Sequence, residues 1–417
     1  MSVNNPNTLA NWQLGRITPM PDKIPHGWNL VKLTSVAKLE SGHTPSKRNP
    51  EYWDGDIPWI SLHDSEFLDI KEIYDTKQKV TKLGIENSSA RLLPSGTVVF
   101  SRTATVGKAT TMARAMCTSQ DFANYICGKE LHNHYLVYLF RFLAPEWERL
   151  MAGSTHNSIY MPVFRDLQIL LPSFAEQERI AATLSGMDAL ISGLEQLIDK
   201  KRDIKQATMQ RLLTGQQRLP GFSGEWEVKR LGDVLRVRHG KNQSAIEVSG
   251  GKFPILATGG EIGRTNTFLY DKPSVLIGRK GTIDKPFYRD KPFWTVDTLF
   301  YTEISREAVP LFIYYKFLMI DWRSYNEASG VPSLNASTIE SVAIVIPSVF
   351  EQAAIATILS EMDSELALLK TRRDKACQLK QGLMQELLTG RIRLDTSSTK
   401  AITFAVPKIE WPTALMG

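Results

Sequence analysis

Thr44, Ser46, Lys47, Arg48, Arg102, Thr103, Lys108, His156 and Asn157 lie in polar loops between apolar, β-rich runs of the first half of the chain. His239, Lys241, Asn242, Gln243, Arg264, Asn266, Arg279, Lys280 and Asn335 are placed likewise in the second half. These side chains share one chemistry. Lys, Arg, hydroxyl and amide groups bind phosphate oxygens, while Arg, Asn, Gln and Lys also address base edges. The set is therefore suited to holding a nucleic acid and reading it, although each member taken singly is also what a solvated surface carries. Arg102 and Arg279 stand out. TVVFSRTATVGK (Thr97 to Lys108) and SVLIGRKGTIDK (Ser274 to Lys285) both put an arginine at the mouth of the loop that follows an apolar run. Trp53 and Trp59 stand near the first set and are expected in packing rather than in contact with a ligand.

Other chemistries lack their residues. No G-x-x-x-x-G-K-[ST] loop is present, because Gly107-Lys108 is followed by alanine without the upstream glycine. Asn49-Pro50-Glu51-Tyr52 differs from the Asn-Pro-Pro-Tyr of amino-methyltransferases at its third residue, and no glycine-rich strand accompanies it. The seven histidines form no H-E-x-x-H pair, and His132 and His134 are expected in a solvated turn. Asp54 and Asp56 flank Gly55 and read as turn residues. Cys117, Cys127 and Cys377 are odd in number and far apart, which argues for free thiols over disulfides or a zinc site. No catalytic residue, metal ligand or cofactor is expected in this chain.

The elements that must position those loops are read from length and patterning. At 417 residues, 42% hydrophobic and 23% charged, the chain has the make-up of two to four globular domains. Fifty basic against 44 acidic residues leave a charge of +6, which suits a polyanionic partner. No apolar run reaches the roughly 18–20 residues that cross a bilayer, and residues 1–25 lack the apolar core of a secretory signal. A cytoplasmic protein is expected.

The chain repeats itself. Leu171 to Leu219 aligns without a gap on Ile346 to Leu394, at an offset of 175 residues and with roughly half the positions identical. Ile180, Leu184, Met187, Ile191, Leu194 and Ile198 alternate spacings of four and three, as do Ile355, Leu359, Met362, Leu366 and Leu369. That is the seam of a coiled coil. Ser173 and Ser348 are in place to cap each helix, with Glu176 and Glu351 completing a capping box. Gly215 and Gly390 sit where a helix ends in a left-handed residue. An ordinary core helix also carries an apolar stripe. A length of about 40 residues and a densely charged outer face, such as Asp199 to Asp203, favour one partner helix instead, and each helix's duplicate is the obvious partner.

The segments ahead of the helices are faintly related. Trp28 in GWNLVKLTSVAKLESG resembles Trp226 in EWEVKRLGDVLRVRHG, and between such anchors the halves diverge. The order is globular unit, helix, globular unit, helix. It reads as two readers of different targets held apart by a rod.

This order resembles the specificity subunits of type I restriction–modification systems. SGHTPSKRNPEYWDGDIPWIS (Ser41 to Ser61) is similar to the family's Gly-x-Thr-Pro-Ser…Tyr-Trp-x-Gly-x-Ile-Pro-Trp opening of a recognition domain. FSRTATVGKA and Ser119 to Phe122 match as well, and each helix closes in Leu-Leu-Thr-Gly-x-x-Arg-Leu. The second half departs from this pattern at HGKNQSAIEVSGGKFPILATGGEIGRTN, which looks like another recognition-domain subtype.

The resemblance covers about residues 26 to 395. It implies an α/β (α+β) fold with an internal pseudo-twofold repeat. Target-recognition domains over 26–172 and 219–347 alternate with helical spacers over 173–218 and 348–395, between tails at 1–25 and 396–417. The helices would pair as an antiparallel coiled coil. The implied partners are double-stranded DNA, two methyltransferase subunits and motor/nuclease subunits. S-adenosylmethionine, ATP and Mg would be bound by those subunits and not by this chain. The competing readings are a chain with its own nuclease or methyltransferase activity, a protein-only coiled-coil adaptor, and a relic subunit.

Overall fold

Each half begins with a short strand that is stapled to the last strand before a long helix. β1 (Asn29–Lys32) pairs antiparallel with β10 (Gln168–Leu171), joining the two ends of the first globular segment. A computed structural model describes residue 19 and residues 23–151 and 157–394 of the protein. The chain divides into two compact units, Met1–Glu195 with Arg372–Gly417, and Gln196–Thr371. Among the described residues no helix is long and apolar enough to cross a membrane.

In the first unit α1 (Leu33–Val36) leads into β2 (Ala37–Ser41), which edges a five-stranded sheet ordered β2-β9-β6-β7-β4. The other members are β4 (Glu72–Ile73), β6 (Val98–Ser101), β7 (Ala109–Met112) and β9 (Phe122–Cys127). β6 reads as an unbroken apolar run because it is central and buried along its whole length. A three-stranded sheet joins β3 (Trp53–Ile60), β5 (Lys79–Val80) and β8 (Cys117–Thr118), with α2 (Lys82–Glu86) after β5. Asp54, Gly55 and Asp56 lie within β3 rather than in a turn. They form a bulge against Val80, with Asp54 at φ 59, and a Cβ on Gly55 would lie 2.6 Å from the Val80 carbonyl.

α3 (Asn133–Phe142), α4 (Ala144–Met151) and α5 (Met161–Asp166) pack on the larger sheet. The ring of Phe100 lies 5.1 Å from Phe140, 4.9 Å from Trp147 and 5.2 Å from Phe164. Burying an aromatic side chain of this kind contributes about 1.5–3 kcal/mol. The indole of Trp147 also donates to the Phe140 carbonyl at 2.8 Å.

The second unit repeats this plan. β11 (Glu227–Arg230) pairs with β19 (Ala343–Ile346) as β1 does with β10. After α7 (Leu231–Val234), β12 (Leu235–Arg238) edges a sheet ordered β12-β18-β15-β16, with β15 (Ser274–Gly278), β16 (Phe287–Arg289) and β18 (Leu299–Ile304). The smaller sheet joins β13 (Phe253–Ala257), β14 (Gly260–Thr265) and β17 (Trp294–Thr295). α8 (Pro310–Met319) and α9 (Ala336–Ser341) complete the unit. Trp322 donates to the Phe317 carbonyl at 2.8 Å, matching Trp147 and Phe140.

The repeated segments are α6 (Phe174–Thr214) and α10 (Val349–Leu388), of 41 and 40 residues. Ile180, Leu184, Met187, Leu194 and Ile198 are buried, as are Ile355, Leu359, Met362, Leu366 and Leu369. The helices pair antiparallel inside each unit. Lys380 meets Asp188 at 2.5 Å in the first, and Lys205 meets Asp363 at 2.5 Å in the second. Gly215 at φ 75 and Gly390 at φ 70 end the helices in the left-handed conformation.

Only half of each capping box forms. The Ser173 hydroxyl accepts from the Glu176 N–H at 3.3 Å and Ser348 from Glu351 at 3.5 Å. The two carboxylates are claimed elsewhere. Glu176 accepts from Arg393 twice at 2.8 Å and from the Trp28 indole at 3.2 Å. Glu351 accepts from Arg218 at 2.6 and 2.7 Å.

Candidate nucleic-acid interface

The candidate residues of the first unit come from segments up to 113 residues apart, Thr44 to Asn157, and three main-chain bonds gather their loops. The His43 N–H donates to Thr118 O at 2.9 Å, Arg102 N–H to Asp121 O at 3.0 Å and Ile159 N–H to Arg102 O at 2.9 Å. Ala104 N–H adds a longer bond to Asn157 O at 3.4 Å. Ala104 and Asn157 both adopt left-handed backbone, φ 59 and 48. Residues 42–44, 102–104, 118–121 and 157–159 therefore converge on one junction.

The loops come this close because Gly42 has no side chain. A Cβ there would lie 2.0 Å from Ser119 O. The Trp59 indole, buried under the junction, donates to the His43 carbonyl at 3.0 Å.

The second unit builds the same junction with other residues. Lys241 N–H donates to Thr295 O at 2.8 Å, Arg279 N–H to Thr298 O at 2.8 Å, Leu334 N–H to Arg279 O at 2.9 Å and Gly281 N–H to Pro332 O at 2.9 Å. Gly240 stands for Gly42, and its Cβ would lie 2.1 Å from Val296 O. The indole donor is Trp294, 2.8 Å from the Lys241 carbonyl. A cavity of about 240 Å³ opens beside the junction, lined by Gly281, Asp284, Arg323, Asn326 and Pro332 among others.

Within these junctions the candidate side chains take different parts. Arg102 is a hub. Its Nε and Nη2 donate to Gln120 O at 2.9 and 2.7 Å and its Nη1 to Ile159 O at 3.2 Å. Arg279 instead meets a carboxylate, with Nη1 2.5 Å from Asp297 Oδ1. Thr44 donates to Gln120 Oε1 at 2.5 Å, and Thr103 bridges Ser158.

Ser46, Lys47 and Arg48 are exposed on the adjoining loop. Lys47 Nζ stands 5.9 Å over the Trp53 ring, whose indole donates to Ser46 O at 3.3 Å. Asn157, His239, Lys241, Asn242, Lys280 and Asn335 are exposed around the junctions. His239 stacks edge-on to Phe300 at 4.9 Å, and Lys280 bridges Ser333. Gln243 is half-buried, and its carbonyl accepts from Ile246 and Glu247 at the start of the next turn.

Three candidates lie apart from the junction bonds. Lys108 turns toward Ser65 O at 3.2 Å and Asp69 at 2.5 Å. Arg264 braces its own hairpin, donating to Gly251 O at 2.6 Å, Lys252 O at 3.0 Å and Glu261 at 2.8 Å. Asn266 accepts from Lys252 N–H at 3.3 Å in the same hairpin. His156 lies outside the described residues.

Gln120, Trp59 with Trp294, and the two glycines escaped sequence reasoning as site-forming residues. The signal for the glycines was present: the two segments aligned on Trp28 and Trp226 both end in glycine, at 42 and 240.

His132 and His134 open α3 rather than a solvated turn. The ring of His134 is 12% exposed, with Nε2 3.3 Å from Glu72. Burial, helped by the charge of Lys71, lowers its pKa to about 4. Among the described residues no group of three or more His, Cys, Asp or Glu side chains is placed to hold a metal. The three cysteines are free, and burial pushes the Cys117 thiol up to about 12.

This repeated geometry has counterparts. The family model for the type I restriction modification DNA specificity domain matches residues 25–202 and, a second time, 223–377. The MjaIX specificity subunit of Methanocaldococcus jannaschii, a type I restriction enzyme, is 28% identical over 240 residues, 54% of this chain and 56% of that one. The EcoprrI specificity subunit of Escherichia coli is 23% identical over 376 residues, covering 84% of this chain and 91% of that one. A crystal structure of the type I restriction–modification S subunit from M. genitalium superposes with a TM-score of 0.60 at 17% identity, over 90% of this chain and 99% of that one.

Proposed function

Because the chain belongs to the type I restriction–modification DNA specificity family, we propose that it is the DNA-reading subunit of a type I complex. In this reading each loop junction addresses one half of a split DNA target. The observation that carries it is the junction itself. The same main-chain bonds recur in both units around different exposed side chains: Ser46, Lys47 and Arg48 in one, Lys241, Asn242 and Lys280 in the other. A fixed frame with changed polar side chains is what two readers of two sequences require, since hydrogen-bonding groups at base edges carry the discrimination.

The paired helices dock two methyltransferase subunits for adenine methylation and, with the motor/nuclease subunit, restriction. The chain contributes no catalytic group and no cofactor. S-adenosylmethionine, ATP and Mg belong to the partner subunits. Of the candidates, Ser46, Lys47, Arg48, Lys241, Asn242 and Lys280 contact DNA, while Arg102 and Arg279 hold the loops that carry them.

Modified-base sequencing of a host genome tests this, with and without the chain and with its methyltransferase partner present. Adenine methylation at one split, asymmetric motif that depends on the chain is the expected result. If the partner is expressed and bound but no motif depends on the chain, the reading fails and a protein-only adaptor or a relic takes its place.

A further inference from the structure

Several ion pairs that flank the seam of α6 and α10 occur twice. Asp188–Lys380 in the first unit is matched by Asp363–Lys205 in the second. Tyr138 donates to Asp188 at 2.6 Å, and Tyr315 to Asp363 at 2.8 Å. Glu176–Arg393 is matched by Glu351–Arg218. Such pairs do not distinguish one helix from the other. If α6 met the α6 of a second copy in the same antiparallel register, Asp188 would find Lys205, and Glu176 would find Arg218.

Lys201, which the sequence places on the charged outer face but the structure buries, forms with Glu365 a pair that is not repeated. Their charged groups lie 2.8 Å apart, with the lysine side chain 4% exposed and the glutamate 22%. The 175-residue offset places Ala376 at the position of Lys201 and Leu190 at the position of Glu365. An α6–α6 pairing would set Lys201 against Leu190 twice, and an α10–α10 pairing would set Glu365 against Ala376 twice. Either takes from Lys201 or Glu365 the counter-ion it has in this pair, and breaking such a pair is costly. Of the three pairings, only α6 with α10 sets the two ions against each other. A single polar contact in a coiled-coil seam is a known way to specify a partner.

We propose that the Lys201–Glu365 pair selects the partner of each repeated helix, so that α6 accepts α10 and refuses a second copy of itself. The selection matters because the duplicated ion pairs at Asp188, Asp363, Glu176 and Glu351 are self-complementary.

Two full-length versions of the chain, carrying different affinity tags, are co-expressed, and capture of one tag is scored for the other. The Lys201→Ala, Glu365→Leu variant gives the second unit the apolar seam that the first already carries. Leu190→Glu, Ala376→Lys does the reverse and gives both units the ion pair. Either change removes this pair's preference for cross-pairing, by opposite chemistry. Co-capture is expected to rise several-fold over the unsubstituted chain in each soluble variant, and to stay at that chain's level in the charge-exchanged Lys201→Glu, Glu365→Lys. If neither seam variant raises co-capture, or if the charge-exchanged chain raises it equally, the pair does not select.

Discussion

Trp59 and Trp294 make the same bond from different strands. Each indole donates to the carbonyl one residue beyond the junction glycine, His43 at 3.0 Å and Lys241 at 2.8 Å. Trp59 lies on β3, whose parallel neighbour carries Cys117. Trp294 lies on the counterpart of that neighbour, beside Ile255 of the strand equivalent to β3. The tryptophan has changed strands while its target stayed. The carbonyl it holds lies one residue past Gly42 or Gly240, so the bond fixes where the polar loop begins.

Replacing Gly42 with alanine is expected to break the first junction alone. The added carbon would lie 2.0 Å from a backbone carbonyl that has no free rotamer to move into. Overpacking of this kind costs about 1–3 kcal/mol. Calorimetry should show the loss, and methylation mapping should show relaxed specificity in one half-site. Gly240→Ala should relax the other.

Arg102→Ala should weaken specific binding while leaving its salt dependence in place. The guanidinium is already committed to Gln120 O and Ile159 O, and each such hydrogen bond contributes about 0.5–1.5 kcal/mol. Lys47→Ala, on an exposed side chain, should lower the salt slope by about one ion instead. Titrating the assembled complex with DNA at several salt concentrations separates the two effects.

Stability of the first unit should fall on acidification between pH 6.5 and about 4. The pKa of His134 is held at about 4 by burial, below its ordinary 6.5. In that window the unfolded chain takes up a proton that the folded one does not, so the stabilisation present above pH 6.5 is lost as the pH drops. The loss approaches about 1.4 kcal/mol per pH unit. Leu311 stands near the corresponding place in the second unit and has no proton to take up. His134→Leu should lessen the dependence of the first unit's denaturation midpoint on pH, leaving the part owed to His132, whose pKa burial also lowers.

Four residues inserted near Gly193, with four at the matching place in α10, should lengthen the spacer of the recognised DNA site. One such insertion adds about 6 Å of helix, nearly two base pairs at about 3.4 Å each. Methylation mapped to an unchanged spacer would remove helix length as the ruler.

The helices were legible because their signals are local and repeated: a seam of alternating spacings, a capping serine and a terminal glycine. The placement of Arg102 and Arg279 at the mouths of their loops was legible because both follow an apolar run. The junctions were not, since His43, Arg102, Thr118 and Ile159 meet only after the sheet has formed. The partners of Glu176 and Glu351 were hidden for the same reason. A capping role is read from three residues' spacing, whereas Arg393 lies 217 residues from Glu176. Asp54-Gly55-Asp56 has the composition of a turn and is used as a bulge, because Val80 crosses it closely.

The junctions are fastened by main-chain amide groups, by the arginine at 102 or 279, and by one indole that is delivered from either of two strands. Exchanging Lys47, Arg48, Asn242 or Lys280 for other residues removes none of those fasteners. What a unit touches can therefore drift by single substitutions without a detour through misfolded forms, and each half can do so independently of the other.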